Sequence, residues 1–408
     1  MDELVIKLTK MAHGGTAMGR DKNGRSIFVP FALPGERVRV RLLDEKSNYS
    51  RAELIEILTP SSKRIEPRCP HFGICGGCHF QHMDYETQLA TKRTITHDQL
   101  QRIGGFRRTS VQPTLPNPQP WAYRMDVTLS PVGDGKLGFW SPTRRQVIPI
   151  DICHIIHPRL LELWQDIDLD LPELRKLTLR IGSDEELLIA LEVEGVEPPS
   201  LEADFPVSVA IVLPDGTAAS LVGDTYIVRT VKDRDFRVSP GCYFQPSVAG
   251  VDVLVDTVLE LTALSGRERV LELYTGVGML TAFLAEQAAE VTGIEVNSDA
   301  VQDLATNLEE TDNVALYEGL VEDVLPLLTL QPDVAVVNPP AGGMSEEALR
   351  ALVACRPVRL VYVSADVATL ARDGRFLSQA GYRPTHIQPI DLAPQTYQID
   401  VVSLWETG

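Results

Sequence analysis

The sequence predicts an α/β domain preceded by two β-rich parts, and three stretches of its 408 residues carry that expectation. Residues 3 to 59 alternate short β-rich runs with Gly and Asn turns, and residues 122 to 230 hold a second series of strand-like runs. Beyond 250, strand and helix alternate. A chain of this length exceeds what one hydrophobic core organises, so two or three domains are expected.

In the first stretch LVIKL, SIFVPF, ERVRVRLL and SRAELIEIL are separated by turns such as GGTAMGRDKNGR, the pattern of a small closed barrel without helix. Arg37, Arg39 and Arg41 alternate within one run, so their side chains share a face that either tracks a phosphate backbone or is simply solvated. An amphipathic helix is expected near 84–103, stopped by the glycines of QLQRIGG. The runs YRMDVTLSP, KLGFW, RQVIPI, KLTLRIG, LLIALEVE and VSVAIVL predict an antiparallel sheet. Residues 195 to 206 read as an exposed acidic connection. After 250 the order is VLEL, EVTGIE, VALYE, VAVVN and RLVYVS, each followed by a helix, then THIQPIDL and IDVVSLW. That is a doubly wound α/β sheet ending in an antiparallel hairpin. No internal repeat or low-complexity tract is found.

Hydrophobic residues make up 44% and charged residues 23%, and no run approaches the roughly 20 apolar residues that cross a bilayer, so a soluble protein without membrane contact is expected. MDELVIKLTK lacks the basic start and apolar centre of a signal peptide, and six cysteines form no dense disulfide framework, which together point to a reducing cytoplasm. A net charge of -18 argues at first against a polyanionic partner. Its distribution reverses the argument: residues 1 to 125 hold 19 Lys+Arg against 12 Asp+Glu, and residues 126 to 408 hold 19 against 44. The basic N-terminal third is expected to dock nucleic acid while the acidic remainder discourages sticking elsewhere; plain solubility is the alternative reading of that acidity.

Cys69, Cys75 and Cys78 in CPHFGICGGCHFQH are joined 75 residues later by Cys153 in IDICHI, making four thiolates for one centre. Four cysteines hold either tetrahedral zinc or an iron–sulfur cluster. Zinc sites pair two close hooks, whereas three thiols here come from one loop, and Gly76 and Gly77 let backbone amides approach sulfide. The chemistry favours [4Fe–4S] and leaves zinc open.

The run Tyr274-Thr275-Gly276-Val277-Gly278-Met279 follows VLEL and opens a helix, where glycines allow a tight turn and close approach to a ligand. Glu295 ends the next strand, where a carboxylate takes the two ribose hydroxyls of a nucleoside. A dinucleotide site would call for a third glycine, but position 281 is Thr. S-adenosylmethionine, which has no phosphate, fits better. At the fourth strand, VAVVNPPAGG sets Asn338 at the carboxyl edge of the sheet, where a methyl acceptor would meet the sulfonium.

On these motifs nearly the whole chain resembles the RNA uracil-C5 methyltransferases of tRNA and rRNA, in the branch with a TRAM barrel and a [4Fe–4S] cluster. The AHGGTAMGR turn and VPFALPGERVRV run resemble the TRAM domain, and C-x5-C-GG-C-x2-QH with a distant Cys resembles the cluster motif. The resemblance implies a class I, Rossmann-like methyltransferase domain at the C-terminus and a central domain with the cluster. It divides the chain into a barrel at 1–60, a central RNA-contacting domain at 61–82 and 111–235, and a methyltransferase domain at 83–110 and 236–408. It implies cofactor contacts at Gln245, Tyr274, Glu295, Glu322 and Asn338, beside the loop glycines Gly276 and Gly278 read above, an RNA partner (tRNA or rRNA), and a monomer. It would put Asn at Met279, Asp at Asn338 and Arg at Ala341.

The family's nucleophilic cysteine, in a motif like SCNPxTLARD, corresponds to Ala365 in VYVSADVATLARD. Its general-base glutamate corresponds to Asp400 in PQTYQID, a carboxylate one methylene shorter. A methyl group performs no Michael addition, so uracil-C5 methylation is expected to be lost or severely weakened. Cys355 is expected to be buried and structural, and Cys242, three residues from Gln245, is the candidate substitute thiol. Three functions follow: a methyltransferase of uracil-C5 ancestry, an amino-methyltransferase holding an exocyclic amine with the NPP motif, or a non-catalytic RNA-binding protein or assembly factor.

Overall fold

Alternation of apolar and polar side chains closes the first five strands on themselves. The structure, a computed structural model, describes residues 3–133, 135–142, 144–167, 171–194, 205–213 and 217–407, so most of the acidic stretch expected at 195–206 lies outside the described residues. Strands β1 (Glu3–Met11), β2 (Thr16–Arg20), β3 (Ser26–Pro30), β4 (Arg37–Glu45) and β5 (Tyr49–Thr59) form a closed barrel in the order β1-β2-β3-β5-β4. Ile6, Leu8, Ile27, Val29, Val38 and Val40 fill it. Arg39 and Arg41 do lie on the outer face of β4, but they are not free to follow phosphates. Arg39 pairs with Glu56 at 3.0 Å, and Arg41 with Glu53 at 3.2 Å and Glu3 at 3.4 Å, because cross-strand neighbours on that face are carboxylates.

Helix α1 (Tyr85–Gln99) starts where the Asp84 carboxylate accepts the Thr87 N–H at 2.7 Å. It continues as a wider π-helical turn over Leu100–Gly104 and stops at Gly105, whose φ is 80°. The expected amphipathicity is corrected here: the buried face is mostly polar, with Gln88, Lys92, Thr96 and Gln99 beside Ile95. These groups are buried because each meets a partner: Thr96 and Gln99 within the helix and its continuation, Gln88 and Lys92 at the far end of the chain. Lys92 Nζ lies 2.6 Å from Asp391 Oδ1 and 3.2 Å from the Ala393 carbonyl, with both side chains of the pair at 0% exposure.

The central sheet runs β12-β11-β10-β9-β6-β7-β8, from β6 (Asp126–Gly133), β7 (Lys136–Ser141), β8 (Gln146–Pro149), β9 (Leu174–Ile181), β10 (Leu187–Val193), β11 (Ser208–Val212) and β12 (Ala218–Val222). It is not wholly antiparallel as expected: β10 and β11 pair in parallel, which the long connection between them permits and a hairpin would not. Between β8 and β9 an unforeseen helix, α2 (Pro158–Asp166), opens on a proline and buries Leu160, Leu163 and Trp164. A separate hairpin, β13 (Ile227–Val231) and β14 (Arg234–Val238), follows.

The last part alternates as expected: α3 (Val248–Thr262), β15 (Arg269–Leu273), α4 (Met279–Ala285), β16 (Glu290–Glu295), α5 (Ser298–Asn307), β17 (Val314–Glu318), α6 (Val321–Val324), β18 (Val334–Val337), α7 (Glu346–Ala354), β19 (Arg359–Ser364), α8 (Val367–Gln379), β20 (Tyr382–Ile390) and β21 (Asp400–Thr407). The sheet order is β17-β16-β15-β18-β19-β21-β20, with β21 antiparallel between β19 and β20. All four residues of β18 are buried, as helices on both faces require. Strand order reverses between β15 and β18, which opens a ligand crevice at their carboxyl ends. No helix among the described residues is long and apolar enough to cross a membrane.

Lys92→Met would leave Asp391 charged, buried and uncompensated, so urea unfolding should show a loss of about 3–5 kcal/mol, with much of it restored in Lys92→Met/Asp391→Leu. A loss below about 1 kcal/mol, the level of an exposed pair, would contradict the role of this contact.

Candidate active site and cysteine centre

The crevice begins where β15 ends. Tyr274 adopts φ 64°, Gly276 φ 55° and Gly278 φ 85°, and the Tyr274 N–H donates to the Ile294 carbonyl at 2.9 Å. The two glycines serve different ends. A Cβ on Gly276 would meet no atom within 4 Å, so its backbone fronts open space, whereas one on Gly278 would lie 2.7 Å from Leu304 of α5. Glu295 closes the loop from below, accepting the Gly276 N–H at 2.8 Å on one oxygen and those of Val296 and Asn297 on the other.

Glu322 stands in the first turn of α6 and Asn338 one residue past β18. Burial raises the Tyr274 phenol above its ordinary range, and Glu322, Asp373 and Glu295 push it further. An edge so rich in carboxylates suits a cationic sulfonium joined to a ribose and disfavours a phosphate. Met279 is buried as the first residue of α4. Gln245 is buried too, and its Oε1 accepts the hydroxyl of Tyr243 at 2.9 Å although the Tyr243 residue is 70% exposed. Glu272, inside VLEL, escaped the sequence reading. Burial pushes its carboxyl to about 8, partly offset by Thr281.

Ser364 of β19 pairs with Val401 of β21, so the next residue, Ala365, stands beside Asp400 at the carboxyl end of the sheet. Ala365 is exposed, and Asp400 is buried. Burial raises the Asp400 carboxyl to about 7, with Lys92 lowering it and Asp391 raising it. Asp366 caps α8 and also meets His13 Nε2 of the barrel turn at 3.0 Å, so the barrel reaches this edge. Cys242 supplies no open thiol: it is buried, and burial and Asp303 both raise its pKa. Cys355 sits at the other end of β19, half-buried rather than buried, donating to the Ala351 carbonyl at 3.5 Å.

Cys69, Cys75, Cys78 and Cys153 all line one small enclosed space of about 20 Å³. Burial raises the Cys78 thiol to about 12, with smaller contributions from the other three sulfurs. The Gly77 N–H donates to Cys75 Sγ at 3.4 Å, and Gln81 Oε1 accepts the Cys69 N–H at 3.0 Å. Among the described residues no group of three or more His, Cys, Asp or Glu could hold a single metal ion. A zinc ion needs four sulfurs about 2.3 Å from one point. The four thiols converge on one space with room for a body about the size of a water.

Residues 2–55 match the TRAM domain family, and residues 252–325 match the ribosomal RNA adenine dimethylase family. An uncharacterized RNA methyltransferase of Halalkalibacterium halodurans is 31% identical, covering 99% of this chain and 97% of its own. Another from Nostoc sp. is 32% identical over 98% and 95%. The crystal structure of Pyrococcus abyssi tRNA (uracil-54, C5)-methyltransferase in complex with S-adenosyl-L-homocysteine superposes with a TM-score of 0.75 at 23% identity, covering 99% of this chain and 100% of that one, so the two share a fold.

Because the folded Asp400 carboxyl titrates near 7 and its reference value is 3.8, the native state holds an extra proton between these limits. Its stabilising contribution is complete below the lower value and lost as pH rises through the upper one. Denaturation from about pH 4 to about pH 8 should show Asp400→Asn gaining steadily on the native protein. A constant difference across that window would refute the assigned shift.

Proposed function

The chain belongs to the RNA methyltransferases, and from that premise we propose that it descends from uracil-C5 chemistry on tRNA or rRNA and has lost the thiol that chemistry uses. One observation carries the reading: Ser364 pairs with Val401, so the residues that flank this pair, Ala365 after β19 and the buried Asp400 at the start of β21, come to the same edge of the sheet. In uracil-C5 methylation a thiolate adds to C6, the resulting enolate takes the methyl group at C5, a base removes the C5 proton and the thiol is eliminated. Asp400 keeps the base position, and its carboxyl near 7 leaves an ionised fraction at neutral pH. Ala365 forms no bond to C6.

S-adenosylmethionine, when bound, supplies an electrophilic methyl group. Glu295 and Glu322 would hold its nucleoside, Gly276 and Gly278 its backbone cradle, and Gln245, Tyr274 and Asn338 the side facing the acceptor. The open space before Gly276 and the carboxylates around Tyr274 support that fit. Cys69, Cys75, Cys78 and Cys153 would hold a [4Fe–4S] cluster, which would tie the cysteine loop to the segment at Cys153 in a structural or RNA-positioning role. The same reading keeps a barrel at 1–60, a central domain at 61–82 and 111–235, and a catalytic domain at 83–110 and 236–408, acting as a monomer in a reducing cytoplasm. The docking of α1 against β20 and α8 supports assigning it to the last part.

A second reading, methylation of an exocyclic amine held by Asn338 and the following prolines, needs no covalent adduct. The adenine dimethylase match supports it only partly, because residues 252–325 stop before Asn338.

The test is nucleoside mass spectrometry of tRNA and rRNA fragments after incubation with anaerobically purified protein and labelled S-adenosylmethionine, comparing the native chain with Ala365→Cys. Label at uracil C5 only in the variant is the expected result. Label on adenine or guanine with the native chain would establish the amine reading, and no label with either would leave an RNA-binding protein. For the cluster, iron and sulfide should co-purify anaerobically at about four each, and Cys78→Ser should lose both; zinc in their place would overturn the assignment.

A further inference from the structure

A second concavity, about 370 Å³, lies between the central sheet and the loop that leads into Asp400. Its floor follows from strand register. Ser130 of β6 faces Gly138 of β7, so Thr128, Ser130, Gly138 and Trp140 share one face, while Val127, Leu129 and Leu137 enter the core on the other. Three small residues make a shallow floor, and Trp140, 57% exposed, stands at its end. The opposite wall carries Tyr397, whose ring meets His79 edge-on at 4.5 Å. Gly76 packs the cysteine loop against this strand, since a Cβ there would lie 2.5 Å from Pro142 and 3.1 Å from the Trp140 carbonyl.

The charge of this cleft inverts that of the protein. The chain carries 56 Asp and Glu, yet among the described residues none that lines the cleft is acidic. Arg124 lines it and, among the described residues, pairs with no carboxylate; Arg144 and Arg145, just beyond Trp140, are exposed and likewise unpaired with acids. The position is also informative. Thr396 and Gln398 line the cleft and Asp400 follows two residues later, while Pro246 adjoins Gln245. A strand whose target nucleotide reaches Asp400 would run its neighbour through here.

We infer that this cleft binds a nucleotide of single-stranded RNA adjacent to the target, its base stacked on Trp140 and its phosphate near Arg124. The inference rests on the RNA methyltransferase reading and deepens it by naming the form of the substrate. An indole standing free over small residues offers a π-face that any base can use, and unpaired arginines supply the electrostatic track. Duplex RNA does not satisfy the site, because its bases already stack on one another and its readable edges lie in grooves. The volume holds one nucleoside, not a helix.

The experiment titrates anaerobically purified full-length protein with a single-stranded oligoribonucleotide and with the same sequence as a duplex, following tryptophan emission and anisotropy. The single strand should quench an emission component that Trp140→Phe lacks. Trp140→Ala should weaken single-strand binding about ten-fold or more, Trp140→Phe should retain most of it, and Tyr397→Ala should weaken it in parallel. Unchanged melting of Trp140→Ala is expected from its exposure and separates binding from folding. Equal affinity of native and Trp140→Ala protein for the single strand, or duplex binding equally dependent on Trp140, would overturn the inference. Label transfer by Ala365→Cys reports the methylation reading separately: transfer without dependence on Trp140 sinks the cleft alone, and quenching without any transfer sinks methylation alone.

Discussion

The fully buried contact between Lys92 and Asp391 holds the molecule's working parts in one frame. Lys92 comes from a helix ahead of the central sheet and Asp391 from the loop behind β20. Once that pair is fixed, Gln88 and Gln395 exchange two hydrogen bonds, at 2.9 and 3.0 Å. The His79 and Phe80 N–H groups both donate to the Gln395 carbonyl, and the Tyr123 hydroxyl donates to that of Pro394. Helix, cysteine loop and the lead-in to β6 therefore all grip the segment that ends in Asp400. Gln395 keeps φ at 70° because these partners over-determine it.

The chain partitions its charge over short distances. At the carboxyl end of β15 and β16, carboxylates crowd around Tyr274, which favours a cation. A short way off, the described residues of the cleft beneath Trp140 include none and offer arginine instead. A net count of -18 averages these two surfaces and describes neither. The barrel arginines show the converse, since their local excess is matched by glutamates on the neighbouring strands.

Much of the architecture was legible because its signals are local. Period-two alternation marked the barrel, continuous apolar runs marked the parallel strands, and the glycine loop after VLEL located the crevice. The four cysteines were likewise readable as one set, and they line one cavity. What stayed hidden depends on distant partners. A lysine in a polar helix reads as solvated, and the acid that buries Lys92 lies 299 residues away. The polar face of α1 was for that reason mistaken for part of an ordinary amphipathic pattern. The parallel pairing of β10 with β11 depends on a connection whose path no local pattern specifies. Trp140 was one aromatic in KLGFW until register showed which face it shares with Thr128 and Ser130. The adjacency of Ala365 and Asp400 also needed register, because β21 inserts between β19 and β20 out of chain order.

The same long-range pairing bears on how the protein emerges from the ribosome. Helix α1 buries Gln88 and Lys92, whose partners Gln395 and Asp391 lie in the last segment, so that face is unfinished while the intervening chain is made. At about 5–20 residues per second, the 299 residues between Lys92 and Asp391 represent some 15–60 seconds of elongation. During that interval the barrel can close and hold one side of α1 through Lys10 and Asp98 at 2.8 Å, while the face that carries Lys92 waits. The catalytic unit is thus completed only as its last hairpin is made, and the helix face that waits for it is one that later carries a fully buried charge.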